Sequence, residues 1–146
     1  MFPYAALFSL LLATGAGAAA AAEEPPYLDF VVGPYRVVGQ YPDGGASYAG
    51  QARIERHGDG LRLIRRIGKQ TRYITGSVRR ADPGEAWVLS FAWVEGAKQK
   101  MEMVCLVGTD LDNYARLSCH WGKARNPHRF PGMEAYFAVQ PFDPLM

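Results

Sequence analysis

The chain has little of what recognisable chemistry is built from. It holds only two cysteines and three histidines in 146 residues. His57, His120 and His128 show no metal-ligand spacing of the H-E-x-x-H kind, and each reads as a solvated side chain. There is no G-x-S-x-G elbow, and no glycine-rich phosphate loop leading into a helix. Asp110, Asp112 and Asn113 hint at calcium, but the further oxygens, the glycine and the closing glutamate of a calcium loop are missing. Turn chemistry accounts for them better, because Asp and Asn cap turns and tolerate left-handed backbone. No catalytic residue, metal or cofactor is therefore expected, and the chain reads as non-enzymatic. The formal net charge is only +2, which argues against a nucleic-acid binder. No helical period of useful length appears, nor any solenoid or propeller repeat.

Charge is absent altogether from the first 22 residues. Tyr4 to Leu12 is apolar, small residues run from Ala13 to Ala22, and Glu23-Glu24-Pro25-Pro26 follows. That order is a hydrophobic segment with an A-x-A exit, expected to be a signal peptide over 1–22 cleaved after Ala22. The alternative, a single transmembrane anchor, needs roughly 20 apolar residues, and the run reaches that length only if the alanines are counted. A secreted or periplasmic location follows, with no membrane span once the leader is removed. The remainder, 23–146, is one domain's worth of chain.

What the mature chain does have is alternation of apolar and polar residues, broken at short intervals by Gly, Pro, Asp and Asn. Strands are expected over 35–41, 47–56, 61–67, 72–80, 86–94, 100–107, 114–121 and 134–139. Tight turns make neighbours antiparallel, and one longer loop, 122–132, joins the last two strands. Eight strands in a meander close well into an up-and-down β-barrel, which removes both exposed edges; a β-sandwich is the rival.

Face assignment sharpens the pairing. Across the turn at 108–113, Cys105 is expected opposite Cys119, Met103 opposite Trp121 and Val107 opposite Leu117. In an oxidising compartment the two cysteines should form a disulfide stapling these arms. Between the first two strands Tyr35 is expected opposite Ile54, Val37 opposite Ala52 and Gly39 opposite Gly50. Trp87, Leu89, Phe91 and Trp93 alternate onto one face. Val88, Ala92 and Val94 make the other face of that strand apolar too, so the segment 27–32 or a second copy is expected to cover it.

Two short motifs carry a resemblance. Gly33-Pro34-Tyr35 opens the first strand where lipocalins have G-x-W, and Thr109-Asp110-Leu111-Asp112-Asn113-Tyr114 falls where their T-D-Y-x-x-Y segment lies. The mature chain thus resembles a compact lipocalin or related calycin. It departs from the pattern at Tyr35 and Leu111, and Gln140-Pro141 stands where the family has an arginine. An avidin-like or protease-inhibitor-like barrel fits the length equally well. The resemblance implies a carrier of small apolar molecules.

The candidate ligand-binding set is Tyr35, Arg65, Trp87, Phe91, Trp93, Met101, Met103 and Trp121. Gly39, Gly50, Ala52 and Gly76 would thin one interior wall while the bulky residues line the other. Small against large means either a pocket or rings packed over glycines, and the filled core is the preferred reading. Arg65 shares strand parity with Leu61, Leu63 and Ile67; pointing inward, it is suited to gripping a carboxylate. A bulge at Arg65-Arg66 that turns it outward is the preferred alternative. Alternate turns share an end of a meander barrel. One end collects Lys69, Lys98, Lys123, Arg125 and Arg129 against Asp43 and Glu95. The other collects Asp59, Asp82, Glu85, Asp110 and Asp112 with no Lys or Arg. A basic rim attracts an anionic ligand or an acidic partner surface. The leading expectation is a barrel that binds a small apolar or amphipathic anion. The alternative is an envelope protein–protein module, such as an enzyme inhibitor, acting through rim residues Lys123, Arg125 and Arg129. A purely structural envelope protein is the third.

Overall fold

The computed structural model describes residues 28–81, 84, 86–109, 114–125 and 129–139. The expected leader, residues 110–113 of the motif-bearing turn, His128 and the Gln140-Pro141 pair lie outside them. A four-residue helix, α1 (Leu28–Val31), precedes eight strands. They are β1 (Gly33–Gln40), β2 (Ser47–His57), β3 (Gly60–Ile67), β4 (Gln70–Arg80), β5 (Trp87–Glu95), β6 (Gln99–Thr109), β7 (Ala115–Lys123) and β8 (Gly132–Ala138). Each pairs antiparallel with its neighbours in sequence, and β8 returns to pair with β1. The fold is all-β, an eight-stranded antiparallel meander barrel. The β1–β8 ladder removes the sandwich alternative.

Inward positions alternate along every strand, which is why a half-buried alternation was readable. Ile54, Leu61, Leu63, Leu89, Leu117 and Tyr136 are fully buried, with Val37, Ile74 and Met103 almost so. The β6–β7 register is the expected one, with Met103 opposite Trp121, Cys105 opposite Cys119 and Val107 opposite Leu117. The β1–β2 register is not. Tyr35 lies opposite Ala52, Val37 opposite Gly50 and Gly39 opposite Tyr48, a slip of two residues from the expected pairing. A two-residue slip preserves which side chains point inward. Its cause is at the end of the ladder. The connection folds into a 3-10 turn, Pro42–Gly44, with Asp43 at φ 57, and Tyr41 donates its N–H to the Ala46 carbonyl at 3.1 Å. Opposite Tyr48, Gly39 leaves room for the ring: a Cβ there would sit 2.6 Å from it.

The same device recurs inside the barrel. A Cβ on Gly76 would sit 2.3 Å from the Phe91 ring, and one on Gly132 would sit 2.4 Å from Trp121. Large rings therefore occupy the space that small residues leave. At these positions small against large makes a filled interior.

The segment expected to cover the outer face of β5 does something else. Leu28 and Val31 of α1 join the interior cluster. The Val31 carbonyl accepts a 2.7 Å hydrogen bond from the buried Tyr35 hydroxyl, and Asp29 accepts one from Arg56 Nε at 2.9 Å. The helix thus closes the end of the barrel where β1 begins. Val88 is nonetheless buried, whereas Val94 on the same outer face is 63 % exposed.

Cys105 and Cys119 are disulfide-bonded, 14 residues apart in sequence and inside the barrel wall. In the chain-entropy view a loop of this length contributes roughly 3 kcal/mol. Replacing both cysteines by alanine should lower the melting temperature and leave the far-ultraviolet dichroism unchanged. Loss of the strand signal at ambient temperature would mean that the staple is needed to form the barrel.

Candidate functional site

The turns β1–β2, β3–β4 and β5–β6 and the β7–β8 loop meet at one end of the barrel, the end opposite α1. This mouth is where charge enters the interior. Arg65 is not bulged outward. β3 pairs residue for residue with β2 and β4 through Arg65 and Arg66, so Arg65 keeps the inward parity of Leu63. Only 11 % of its side chain is exposed. Its partner is not a ligand but Glu134 of β8, whose side chain is wholly buried.

Glu134 is well satisfied. Arg65 donates to its Oε1 through Nε at 2.8 Å and through Nη2. The Tyr48 hydroxyl donates to the same oxygen, and the Tyr136 hydroxyl donates to Oε2. Tyr48 in turn accepts from Arg65 Nη2 and from the Trp121 indole N–H, each at 3.1 Å. A buried ion pair is tolerable only when the remaining donors and acceptors are matched in this way. Burial opposes the Arg65 cation, but hydrogen bonding and attraction from Glu134 outweigh that effect and push its pKa up. Burial, reinforced by the hydrogen bond to Glu134, raises the Tyr48 phenol, and Tyr136 is raised well above its usual value for the same reasons. Tyr35, at the closed end, is raised by burial.

Aromatic rings roof this network. Tyr41 packs on Tyr48 with ring centres 4.6 Å apart and meets Trp121 edge-on at 5.9 Å. Trp93 lies 6.2 Å from Trp121. The Arg65 guanidinium sits 5.4 Å from the Tyr48 ring and 5.8 Å from that of Trp121, so the aromatic faces already hold a cation. The buried indole N–H of Trp93 has no hydrogen-bond acceptor among the described residues.

The expected ligand set is therefore split. Arg65, Trp93, Met101, Met103 and Trp121 gather in the mouth half. Phe91 packs on Gly76, Tyr35 bonds to Val31 at the closed end, and Trp87 lies there too, beneath the Arg80 guanidinium at 4.9 Å. Sequence reasoning missed Glu134, Tyr48 and Tyr136. The signal was available in parity: Glu134 and Tyr136 alternate onto the inward face of the last strand, facing an interior that already held an unmatched arginine.

The rim is basic, as the turn composition predicts. Its two acids are already engaged. Glu95 pairs with Arg72, and Asp43 Oδ1 accepts from the Phe130 N–H at 3.1 Å. Asp43 returns a backbone hydrogen bond to the Phe130 carbonyl at 2.9 Å. Lys69, Lys98, Lys123, Arg125 and Arg129 have no carboxylate partner among the described residues. Phe130 itself is 57 % exposed, with the Arg129 guanidinium 5.4 Å from its ring. His57 and His120 are exposed and apart, and no cluster of three metal-ligating side chains occurs among the described residues. The chain matches no protein-family profile and no curated protein.

Two outcomes follow. Arg65→Met and Glu134→Met each strand one buried charge and should cost about 3–5 kcal/mol in chemical denaturation, whereas the double variant should recover much of that loss. Additive losses would show that the pair is not coupled. The second concerns alkaline pH. The phenols of buried Tyr35 and Tyr136 and half-buried Tyr48 keep their protons above pH 10.0, where an unfolded chain loses them. Their contribution to stability is thus complete below pH 10.0 and is lost progressively above it. Phenolate absorbance of the native protein should show Tyr35, Tyr48 and Tyr136 ionising only as the dichroism collapses. Ionisation of every tyrosine together near pH 10.0, with the fold intact, would contradict the buried network.

Proposed function

We propose that this protein is a secreted, non-enzymatic binding module that engages an acidic protein surface through the rim of its mouth. The observation that carries the reading is Phe130. It is held exposed by reciprocal hydrogen bonds to Asp43, and Arg129, Arg125 and Lys123 stand beside it in sequence with no described carboxylate to neutralise them. An aromatic anchor that is ordered before contact, set among cations with no carboxylate partner among the described residues, is the arrangement that concentrates binding energy at protein interfaces. The interior argues the same way. Its inward arginine is neutralised by Glu134, and its rings rest on glycines, so little there remains for an anion to grip. The compartment rests on the uncharged leader.

A small-ligand carrier, which the lipocalin resemblance implies, has one observation in its favour, the buried indole N–H of Trp93, which has no acceptor among the described residues. Native mass spectrometry of the purified protein separates the two readings: a captured protein supports the rim and a retained small molecule supports the carrier. With the captured protein in hand, Phe130→Ala should weaken binding about 30-fold, the scale of an interface hot spot. Asp43→Gly keeps the left-handed backbone and removes the latch oxygen, so it should weaken binding less, mainly by loosening Phe130. An unchanged affinity in Phe130→Ala would end the rim reading.

A further inference from the structure

The outer wall opposite β4 carries an apolar face that the rim does not explain. Register aligns Leu106, Ser118, Ala135, Val38 and Ala49 in one row across β6, β7, β8, β1 and β2. The row above it, toward the mouth, holds Val104, His120, Met133, Gln40 and Ser47. The row below holds Arg116, Phe137 and Arg36. All point away from the core. Val38, Val104, Leu106, Met133 and Phe137 are 37–51 % exposed, so the face is contiguous rather than scattered.

Its relief is specific. Ser118, Ala135, Ala49, Val38 and Met133 line a shallow, open depression of about 690 Å³. It crosses four strands, β7, β8, β1 and β2. At about 4.8 Å between strands it is roughly 14 Å long, the length of about ten residues of α-helix. Charge then selects the occupant. Across these three rows no Asp or Glu faces outward from β6, β7, β8, β1 or β2, while Arg116 lies over the Phe137 ring at 4.8 Å along one edge. A second copy of the chain laid face to face brings no carboxylate from these rows to Arg116.

We propose that this wall docks a short amphipathic helix of another protein, its apolar face in the Ser118–Ala135–Ala49 depression and its carboxylates toward Arg116. The site is separate from Phe130 and the rim. The two can fail independently.

The test uses a synthetic helix of leucine and glutamate, about twelve residues long and amphipathic, and its counterpart with lysine for glutamate. Nuclear magnetic resonance of the full mature protein reads the site. The acidic peptide should shift the amides of Val38, Ser118 and Ala135, and the lysine peptide should bind at least tenfold more weakly. Arg116→Glu should reverse that preference, and Ala135→Arg, an outward change with dichroism as the check on folding, should abolish binding. Phe130→Ala should leave it intact. No binding, equal binding of the two peptides, or shifts confined to the rim would overturn the proposal. So would sedimentation showing a dimer that Ala135→Arg dissolves, which assigns the wall to a second copy. Attachment to phosphatidylglycerol vesicles that the same change removes would likewise overturn it in favour of a lipid surface.

Discussion

A buried carboxylate needs a buried cation, and the pairing of Glu134 with Arg65 organises the open half of this barrel. The two residues sit on β8 and β3, strands that never touch in the ladder, so their contact spans the interior. Tyr48 from β2, Tyr136 from β8 and Trp121 from β7 are drawn in to complete the hydrogen bonding. Four strands are thereby tied at one depth. An ion pair of this kind adds little net stability compared with well-packed apolar residues, but breaking half of it is costly. Its effect is to fix which rings occupy the mouth and to remove Arg65 from the reach of any anion.

Within that layer and beyond it the barrel is held by packing. Phe91 on Gly76, Tyr48 on Gly39 and Trp121 on Gly132 are one solution repeated: a ring fills the space above a residue that has no side chain. Each large apolar side chain buried this way is worth about 1.5–3 kcal/mol, so the large apolar side chains of the core together outweigh the disulfide several-fold. The disulfide lies within the β6–β7 hairpin, whose arms are already neighbours, and it secures a register that packing also specifies.

Much of this was legible in the residues because a barrel with a buried interior imposes strict alternation. Turn glycines marked the strand limits, and mirror spacing placed Cys105 against Cys119. The β1–β2 register escaped by two residues because the fold of 41–46, with Asp43 at positive φ, is set partly by Phe130, far away in sequence. Strand parity alone left the bulge at Arg65-Arg66 the preferred alternative, because the partner that holds Arg65 inward lies 69 residues along the chain. Local pattern carries no information about such a pair. The latch between Asp43 and Phe130 was invisible for the same reason, and with it the exposed aromatic on which the functional proposal rests. The segment before β1 looked like a cover for an apolar strand face, yet Leu28 and Val31 had a better site in the end of the barrel opposite the mouth.

Among the described residues α1 plugs one end, rings seated on glycines fill the space above them and the Glu134–Arg65 network occupies the mouth, which supports the proposal that recognition uses surfaces outside the barrel. Xenon tests that claim most directly, because it enters apolar cavities without needing a polar partner. Under xenon pressure, the inward methyl groups of Leu61, Leu63, Leu89 and Leu117, all fully buried, should show no saturable chemical-shift change. Saturable shifts concentrated on those methyls would reveal a hollow interior and contradict the account.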